Sequence, residues 1–325
     1  MLSRTADHLF WMARYMERAE NTARMLDVNY QTSLLPQSAD MAEQGWRGLL
    51  SISELTVAFS KKYQDVTARN VMDFMVRDET NPSSIVSCVR AARENARAVR
   101  GALTTEVWET QNQTWLEFMR MLHAAEGGDA FERDPSTLFE WVKFRSHLSR
   151  GVTVGTMLQD EALHFLRIGT FLERADNTAR LLDVKFQALA GGDYFGPGTA
   201  KEGLEVDFYH WSAILRSVSG FEIYRKVYRN VIHPDKVAEL LILRPDMPRS
   251  LAACLNELVL NLEMVANQHS SETLRRAGRL RSDLQYGRID EILATGLHAY
   301  LTHFLDRVND LGVGISRDFL VPMAA

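Results

Sequence analysis

Residues 16–31 read MERAENTARMLDVNYQ, and residues 172–187 read LERADNTARLLDVKFQ. Eleven of the sixteen positions are identical, and the exchange of Glu20 for Asp176 keeps the negative charge. In both stretches the apolar residues recur at intervals of three and four, which predicts an amphipathic helix in each. Many sequences can build a helical core, so a polar string repeated almost unchanged indicates a more specific requirement on these side chains.

The composition is typical of a globular protein with a substantial core. Hydrophobic residues make up 46% of the 325 residues, and charged residues make up 24%. The formal net charge is −5, so the chain lacks the basic excess that is typical of nucleic-acid-binding proteins. Two cysteines are too few for a disulfide framework. From the net charge we expect no nucleic-acid partner.

The sequence also argues against a membrane protein. It contains no apolar run of about 18 residues, the length that a membrane-spanning helix needs. The first residues, MLSRTADHLF, lack the long apolar region and the small-residue cleavage site of a signal peptide. We expect a cytoplasmic protein that does not bind membranes.

Helical periodicity runs through the chain, and no stretch alternates apolar and polar residues as a half-buried strand would. Prolines mark several expected helix starts. These starts are Asn81–Pro82, Asp134–Pro135, Pro234 and Pro248. Loops are expected at 123–134 and 189–203, and we interpret the two glycines of RGVTVGT (150–156) as a further loop. The predicted fold class is all-α, a helical bundle.

The similarity of the two halves extends beyond the opening string. Further pairs recur at nearly constant separation: His8 and His164, Trp46 and Trp211, Tyr63 and Tyr228, Pro82 and Pro248, Cys88 and Cys254. This pattern predicts two tandem helical repeats, 1–150 and 151–325, related by a pseudo-twofold axis. The two repeats either share one core or form separate domains.

On a helical wheel, each repeated helix has two distinct faces. The apolar stripe consists of Met12, Tyr15, Met16, Ala19, Ala23 and Leu26 in the first copy, and of Ile168, Phe171, Leu172, Ala175, Ala179 and Leu182 in the second. The polar residues on and beside the opposite face are Glu17, Arg18, Glu20, Asn21, Arg24 and Asp27, and then Glu173, Arg174, Asp176, Asn177, Arg180 and Asp183. We predict that these twelve residues form either a polar site or a network between the repeats.

The two interpretations differ in what the charges do. As a structural network, the acidic and basic residues would pair with one another, because buried charges must be paired and hydrogen-bonded. As a pocket, the arginines would bind a carboxylate or a phosphate, and Glu17 or Glu173 would serve as an acid or base. In both cases we expect the long helices, about 4–33 and 156–189, to pack near each other in the centre of the fold.

The strings ERAENTARMLD and ERADNTARLLD resemble the Alpha-E family, a helical domain named for its Glu-Arg motif. The stretches 155–187 and 241–255 are also similar to that family, so the resemblance covers essentially the whole chain. It implies an all-helical protein, and it carries the Glu-Arg motif onto Glu17, Arg18, Glu173 and Arg174. The chain departs from the family pattern at Thr170, where arginine is common.

The resemblance also implies partners. Members of the Alpha-E family are typically encoded beside, or fused to, circularly permuted ATP-grasp proteins and transglutaminase-like peptidases. This context implies an accessory or partner subunit of an ATP-grasp-type system that forms peptide or amide bonds. The alternative is an enzyme that acts on a peptide, amino acid or amide in a Glu/Arg/Asn pocket, with catalytic residues that the sequence does not identify.

Other chemistry has weaker signals. No HExxH, Cys-x-x-Cys or nucleotide-binding motif is present, so we predict no metal site and no cofactor. His8 and His164 fall on the apolar side and are expected at the edge of the core. Cys88 and Cys254 are interpreted as small buried hydrophobes, with a nucleophile as the alternative. The basic run RRAGRLRS (275–282) is either a solvated helix end or a surface for an acidic partner.

Overall fold

A computed structural model describes residues 1–36, 38–123, 131, 134–190 and 202–320, with side chains except in 185–190 and 202–209. This part of the chain contains fifteen α-helices, one 3₁₀ turn at Arg100–Ala102 and no β-strand, which confirms the predicted all-α class. The helices are α1 Ser3–Ser33, α2 Ala39–Ile52, α3 Thr56–Ser60, α4 Ala68–Val76, α5 Ile85–Ala98, α6 Thr105–His123, α7 Pro135–Thr156, α8 Glu161–Ala190, α9 Glu202–Ser217, α10 Phe221–Tyr228, α11 Pro234–Ile242, α12 Leu251–Met264, α13 Ser271–Gln285, α14 Ile289–Thr295 and α15 Leu297–Phe319.

The two long helices α1 and α8 form the centre of the fold, as predicted. They pack against each other, α1 also packs against α5 and α7, and α8 also packs against α12 and α15. The pair comes into very close contact at Gly169, where a Cβ atom would lie 2.3 Å from the carbonyl oxygen of Phe10. The apolar stripes are buried in this core except for Tyr15 and Phe171, which are half-buried.

Two of the predicted helix starts are confirmed and two are wrong. α7 begins at Pro135 and α11 begins at Pro234, each with proline in the first turn. The helices expected at Pro82 and Pro248 begin three residues later, after Ser84 and Ser250. Each serine is a true N-cap, because its side chain accepts a hydrogen bond from a backbone N–H of the first turn. A serine that can cap outweighed the proline signal in both places.

The interpretation of RGVTVGT as a loop is wrong, since residues 150–156 form the last two turns of α7. Thr153 and Thr156 donate hydrogen bonds to the carbonyl oxygens one turn earlier, at 2.8 Å each. Gly151 and Gly155 lie on the exposed face, where a Cβ atom would meet nothing within 4 Å. The glycines therefore lower the helix propensity here without ending the helix.

The predicted loops at 123–134 and 189–203 lie mostly outside the described residues. The expected division at 150/151 falls inside α7, and the turn that follows this helix occupies 157–160. Within the described part of the chain, every helix is too short or too polar to cross a bilayer.

Candidate functional site

The two Glu-Arg pairs of the repeated strings bond to each other across the α1–α8 contact. Arg174 donates from Nε to Glu17 Oε1 at 2.8 Å and from Nη2 to Glu17 Oε2 at 2.9 Å. Arg18 donates from Nε to Glu173 Oε1 at 2.5 Å and from Nη2 to Glu173 Oε2 at 3.1 Å. Phe10 lies opposite Gly169, and Glu17 lies opposite Arg174, so the two helices run side by side in the same direction. Each glutamate is thus held by the arginine of the other string.

Glu17 also receives hydrogen bonds from two arginines outside the repeated strings. Arg249, which comes just before α12, donates to Oε1 at 3.0 Å. Arg150 of α7 donates to Oε2 at 3.0 Å. Together with Arg174, these residues surround the carboxylate, and only 1% of Glu17 is exposed.

Glu20 lies one turn further along α1 and shares Arg150 and Arg249 with Glu17. Its carboxylate accepts from Arg24 Nε at 2.8 Å, from Arg249 Nη2 at 2.5 Å and from Arg150 Nη1 at 2.5 Å. The hydroxyl of Ser146 donates a fourth hydrogen bond at 2.7 Å. We call the six charged residues of this region the Glu17–Glu20 cluster: Glu17, Glu20, Arg24, Arg150, Arg174 and Arg249.

The other glutamate, Glu173, has a smaller set of partners. Besides Arg18, it accepts from Arg14 Nε at 2.7 Å. Arg14 and Thr170 occupy corresponding positions two residues before the two strings, so the arginine that the second copy lacks is present in the first copy and binds Glu173. One turn after Glu173 on the same helix, Asp176 accepts from Arg180 at 2.8 Å, and Arg180 also pairs with Glu54.

The remaining predicted residues behave differently from one another. The side-chain oxygen of Asn21 accepts from Arg249 at 2.8 Å, while its nitrogen has no partner among the described atoms. Asn177 is half-buried, and no side-chain hydrogen bond to it is found within the described residues. Asp27 and Asp183 lie outside the network. Asp27 binds Lys143 of α7 at 2.7 Å, and Asp183 binds His298 of α15 at 2.8 Å.

The arginines keep the glutamates ionised. Burial alone would raise the pKa of Glu17, but Arg174 and Arg249 outweigh it and hold this pKa below its usual range. Arg249 and Arg150 likewise outweigh burial at Glu20 and hold its pKa well below the usual range. At Glu173 the charges of Arg14 and Arg18 outweigh burial and lower the pKa to about 2. A general acid or base that works near neutral pH needs a pKa close to that pH, so none of the three carboxylates is tuned for this role.

Asp176 differs from these three glutamates. Burial raises its pKa above the usual range, because its pairing with Arg180 only partly opposes the loss of hydration. The aspartate is therefore less firmly ionised than the glutamate at the corresponding position, Glu20.

Sequence reasoning missed Arg150 and Arg249, which complete the Glu17–Glu20 cluster. Arg150 stands in RGVTVGT, which we interpreted as a loop. Arg249 follows Pro248 and takes the place that Ser83 has after Pro82, so it is one of the differences between the halves rather than one of their repeated features. A comparison of the halves for unmatched arginines would have found it.

A cleft opens beside the cluster between α1, α6, α7 and α8. Its volume is about 210 Å³. Glu17, Arg150 and Arg174 lie in its wall, as do Gln111 and Ser149, which bond to each other at 2.6 Å. Apolar side chains form much of the remaining lining: Met12, Met16, Leu163, Leu166 and Phe171. The arrangement is that of a small apolar cleft with a charged wall.

The histidines and cysteines singled out in the sequence are structural. His8 and His164 are half-buried and each contacts an asparagine oxygen at 2.8 Å, that of Asn95 or Asn261. Cys88 and Cys254 are buried, and burial raises the pKa of each thiol to about 12. In the part of the chain that the structure describes, no group of three or more His, Cys, Asp or Glu residues has the spacing of a metal site.

The basic run 275–282 lies in α13. Arg275 and Arg276 both pair with Glu272 of the same helix at 2.8 Å, and all three side chains are exposed. This arrangement agrees with a solvated helix surface. The alternative, a surface for an acidic partner, stays a prediction.

The family model for Alpha-E, described as a predicted alpha-helical domain with a conserved ER motif, matches residues 1–320. Uncharacterised proteins of Mycobacterium bovis and of two strains of Mycobacterium tuberculosis are each 25% identical to this chain over 330 aligned positions. The match covers 93% of this chain but only 35% of each relative, so the chain spans about a third of their length. No solved structure matches the chain significantly.

Proposed function

This chain belongs to the Alpha-E family, and we propose that it is an accessory or partner subunit of an ATP-grasp-type system that forms peptide or amide bonds. Its partners in this proposal are a circularly permuted ATP-grasp protein and a transglutaminase-like peptidase. We place the assembly in the cytoplasm, as the sequence predicts.

The observation that carries the proposal is the mutual pairing of the two Glu-Arg motifs. Glu17 and Glu173 each accept bidentate hydrogen bonds from an arginine of the other string, and both stay ionised. Carboxylates used in this way hold the two central helices together, and they are poorly suited to transfer protons. This favours a structural role for the motif over the alternative enzyme, which would use Glu17 or Glu173 as its acid or base.

The length of the relatives supports a role beside another protein. The aligned region occupies 35% of each mycobacterial relative, so most of each relative lies outside it. A domain that occurs within longer chains is suited to work next to another domain. In the present proposal, the neighbouring function is supplied by a separate subunit.

A row of exposed apolar residues on α7 offers a surface for that subunit. Phe144 and Leu148 lie one turn apart on α7 and are 69% and 37% exposed, and Leu158, which is 79% exposed, follows in the turn after the helix. Gly151 and Gly155 lie between them and leave the helix backbone open to close approach. We call this row the α7 stripe. Contiguous exposed apolar residues of this kind often mark protein–protein contacts.

Co-purification tests the proposal. The tagged protein is isolated from its own host, and the proteins that accompany it are identified by mass spectrometry. We expect an ATP-grasp protein among them. The variant Phe144→Glu should lose this partner, because a charge within an apolar contact is costly to bury. Val313→Glu is the matched control, since Val313 is similarly exposed, at 67%, on another helix, α15.

Two results would count against the proposal. Recovery of no ATP-grasp protein, either in the isolate or when the two purified proteins are mixed, would remove its basis. Equal recovery with the wild type and with Phe144→Glu would show that the α7 stripe is not the contact surface. Circular dichroism of both variants checks that each one is folded.

We further infer that the chain consists of two tandem helical repeats related by a pseudo-twofold axis, divided near the turn at 157–160. The N-caps Ser84 and Ser250, and the ring pairs Phe59–Tyr63 and Tyr224–Tyr228, recur in the two halves. The hydroxyl of Tyr63 binds Asp73 at 2.7 Å, and the hydroxyl of Tyr228 binds Glu239 at 3.2 Å. The shared contact between α1 and α8 supports one core for both repeats.

A further inference from the structure

The Glu17–Glu20 cluster contains more positive than negative charge. Four guanidinium groups, those of Arg24, Arg150, Arg174 and Arg249, bond to the two carboxylates. Three of these arginines are nearly buried, with side chains at most 9% exposed. Burying a charge is unfavourable unless it is neutralised by a partner. The excess of two positive charges therefore favours an anion wherever the cluster reaches solvent.

The cluster reaches solvent at Arg150 and His147. The side chain of Arg150 is 30% exposed, and His147, three residues earlier on α7, is exposed. The imidazole ring of His147 lies between two guanidinium groups. Its Nδ1 atom is 2.8 Å from Nη2 of Arg150, and its Nε2 atom is 3.1 Å from Nη2 of Arg24.

This arrangement leaves one contact without an acceptor. An arginine can only donate hydrogen bonds, and a neutral imidazole accepts at one ring nitrogen while the other carries hydrogen. One of the two contacts of His147 therefore places two N–H donors against each other. Protonation of the ring would not resolve the conflict, because both nitrogens would then donate. The pKa of His147 is moreover lowered by its partial burial and by the nearby arginines, although Glu20 opposes them.

We propose that a carboxylate or phosphate group binds between Arg24 and Arg150, in the place that the ring of His147 occupies. The oxygen atoms of either group are spaced much like the two imidazole nitrogens. Both oxygens can accept a hydrogen bond from an arginine, whereas the neutral ring accepts at only one nitrogen. His147 is exposed and can rotate away without leaving a buried cavity. The anion would also neutralise part of the excess charge of the cluster.

The neighbouring cleft indicates what the anionic group is attached to. Arg150 lies in the wall of the cleft as well as beside His147, so a ligand held by Arg150 can extend into the cleft. The volume of about 210 Å³ and the lining by Met12, Met16 and Phe171 suit an apolar group of side-chain size. The ligand class is thus a small organic carboxylate or phosphate with an apolar substituent. This assignment does not depend on the proposed partner.

Calorimetric titration of the isolated 325-residue chain tests the site with three probes: inorganic phosphate, acetate and hexanoate. Sodium chloride at matched ionic strength controls for general screening. Arg150→Gln should weaken binding by about tenfold or more, which is the usual effect of losing a hydrogen bond to a charged group. Arg47→Gln is the matched control, because Arg47 is 58% exposed on α2 and forms only an exposed pair with Glu43.

His147→Ala provides a second, opposite test. If the ring occupies the position of the anion, its removal should lower the Kd by about threefold or more, because the competing arrangement is gone. His147 is exposed, so this variant should fold even if Arg150→Gln does not. An unchanged or higher Kd in His147→Ala would overturn the proposal.

The probes also distinguish the possible sources of the anion. Tighter binding of phosphate would identify a phosphate ligand, and tighter binding of the two carboxylates would identify a carboxylate ligand. Hexanoate should bind more tightly than acetate, and equal binding would overturn the assignment of the cleft to the ligand. Heat signals no larger than those of chloride, or equal binding by wild type and Arg150→Gln, would overturn the site as a whole. These measurements need no partner protein, so their failure is distinct from failure of the co-purification.

Discussion

Arg174 donates hydrogen bonds to both oxygens of Glu17, with Nε at 2.8 Å from Oε1 and Nη2 at 2.9 Å from Oε2, although the two residues are 157 positions apart in the chain. The pair lies in the middle of the protein, where neither partner is more than 9% exposed at its side chain. Bidentate pairs of this kind fix orientation as well as distance. The Glu-Arg motif therefore sets how α1 and α8 sit against each other.

The first prediction concerns the loss of one buried carboxylate. Glu17→Gln should lower the free energy of unfolding by about 3–5 kcal/mol, because it leaves Arg174 without its buried counter-charge and leaves Arg249 and Arg150 with Glu20 alone. Chemical denaturation measures this change. Glu272→Gln is the control, because Glu272 also pairs with two arginines but on the exposed surface of α13, where an ion pair contributes little. Wild-type stability of Glu17→Gln would contradict the structural role of the cluster.

The second prediction is a loss of stability in acid. The pKa of Glu173 is about 2 in the folded protein, against a usual value of 4.5. Below pH 4.5 the unfolded chain binds a proton at this residue that the folded protein does not, so stability falls as the pH decreases towards 2. Denaturation curves recorded from about pH 6 to about pH 2.5 should show this decrease. In Glu173→Gln the decrease should be smaller, and an identical pH dependence would disagree with the low pKa.

The third prediction tests the close approach of the central helices. Gly169→Ala should lower the free energy of unfolding by about 1–3 kcal/mol, because its Cβ would lie 2.3 Å from the carbonyl oxygen of Phe10 and force α1 and α8 apart. Gly278→Ala is the matched control on α13, where the new Cβ meets nothing within 4 Å. It should raise stability by about 0.5–1 kcal/mol through its better helix propensity. A neutral Gly169→Ala would mean that the helices are less tightly packed.

The fourth prediction concerns the two cysteines. Cys88 and Cys254 are buried, and the pKa of each thiol is about 12, so almost none of the reactive thiolate is present at neutral pH. Neither residue should react with iodoacetamide in the native protein, and both should react after unfolding. Mass spectrometry counts the modified residues. Rapid labelling of one cysteine in the native protein would restore the nucleophile interpretation.

Much of the central architecture could be predicted from the sequence. The period of the apolar residues gave the two long helices, and the repetition of Glu17, Arg18, Glu173 and Arg174 indicated a buried polar stripe. This succeeded because helix faces depend on local spacing, and because buried charges are restricted to residues that can pair. The burial of Glu17 and Glu173 agrees with that argument.

The partners of the motif could not be predicted in the same way. Arg249 reaches Glu17 only because the turn before α12 is folded against α1, which is a tertiary relationship that no local pattern encodes. Arg150 was missed because the glycines beside it suggested a loop, whereas they lie on the exposed side of α7. Packing of the inward face keeps residues 150–156 helical, because tertiary packing outweighs the weak helix propensity of the two glycines.

The crossed pairing of Glu17 with Arg174 and of Glu173 with Arg18 has a consequence for the origin of the protein. A single ancestral repeat would hold a glutamate that its own arginine does not bond, so it would need a second identical molecule to supply the missing partner. Two such molecules would exchange these bonds symmetrically, as a twofold homodimer does. Joining them through the turn at 157–160 keeps each copy at a high effective concentration for the other. Under the proposal of two tandem repeats, joined copies can diverge where two identical molecules cannot, and the arginine at position 249, opposite the serine at position 83, is such a difference.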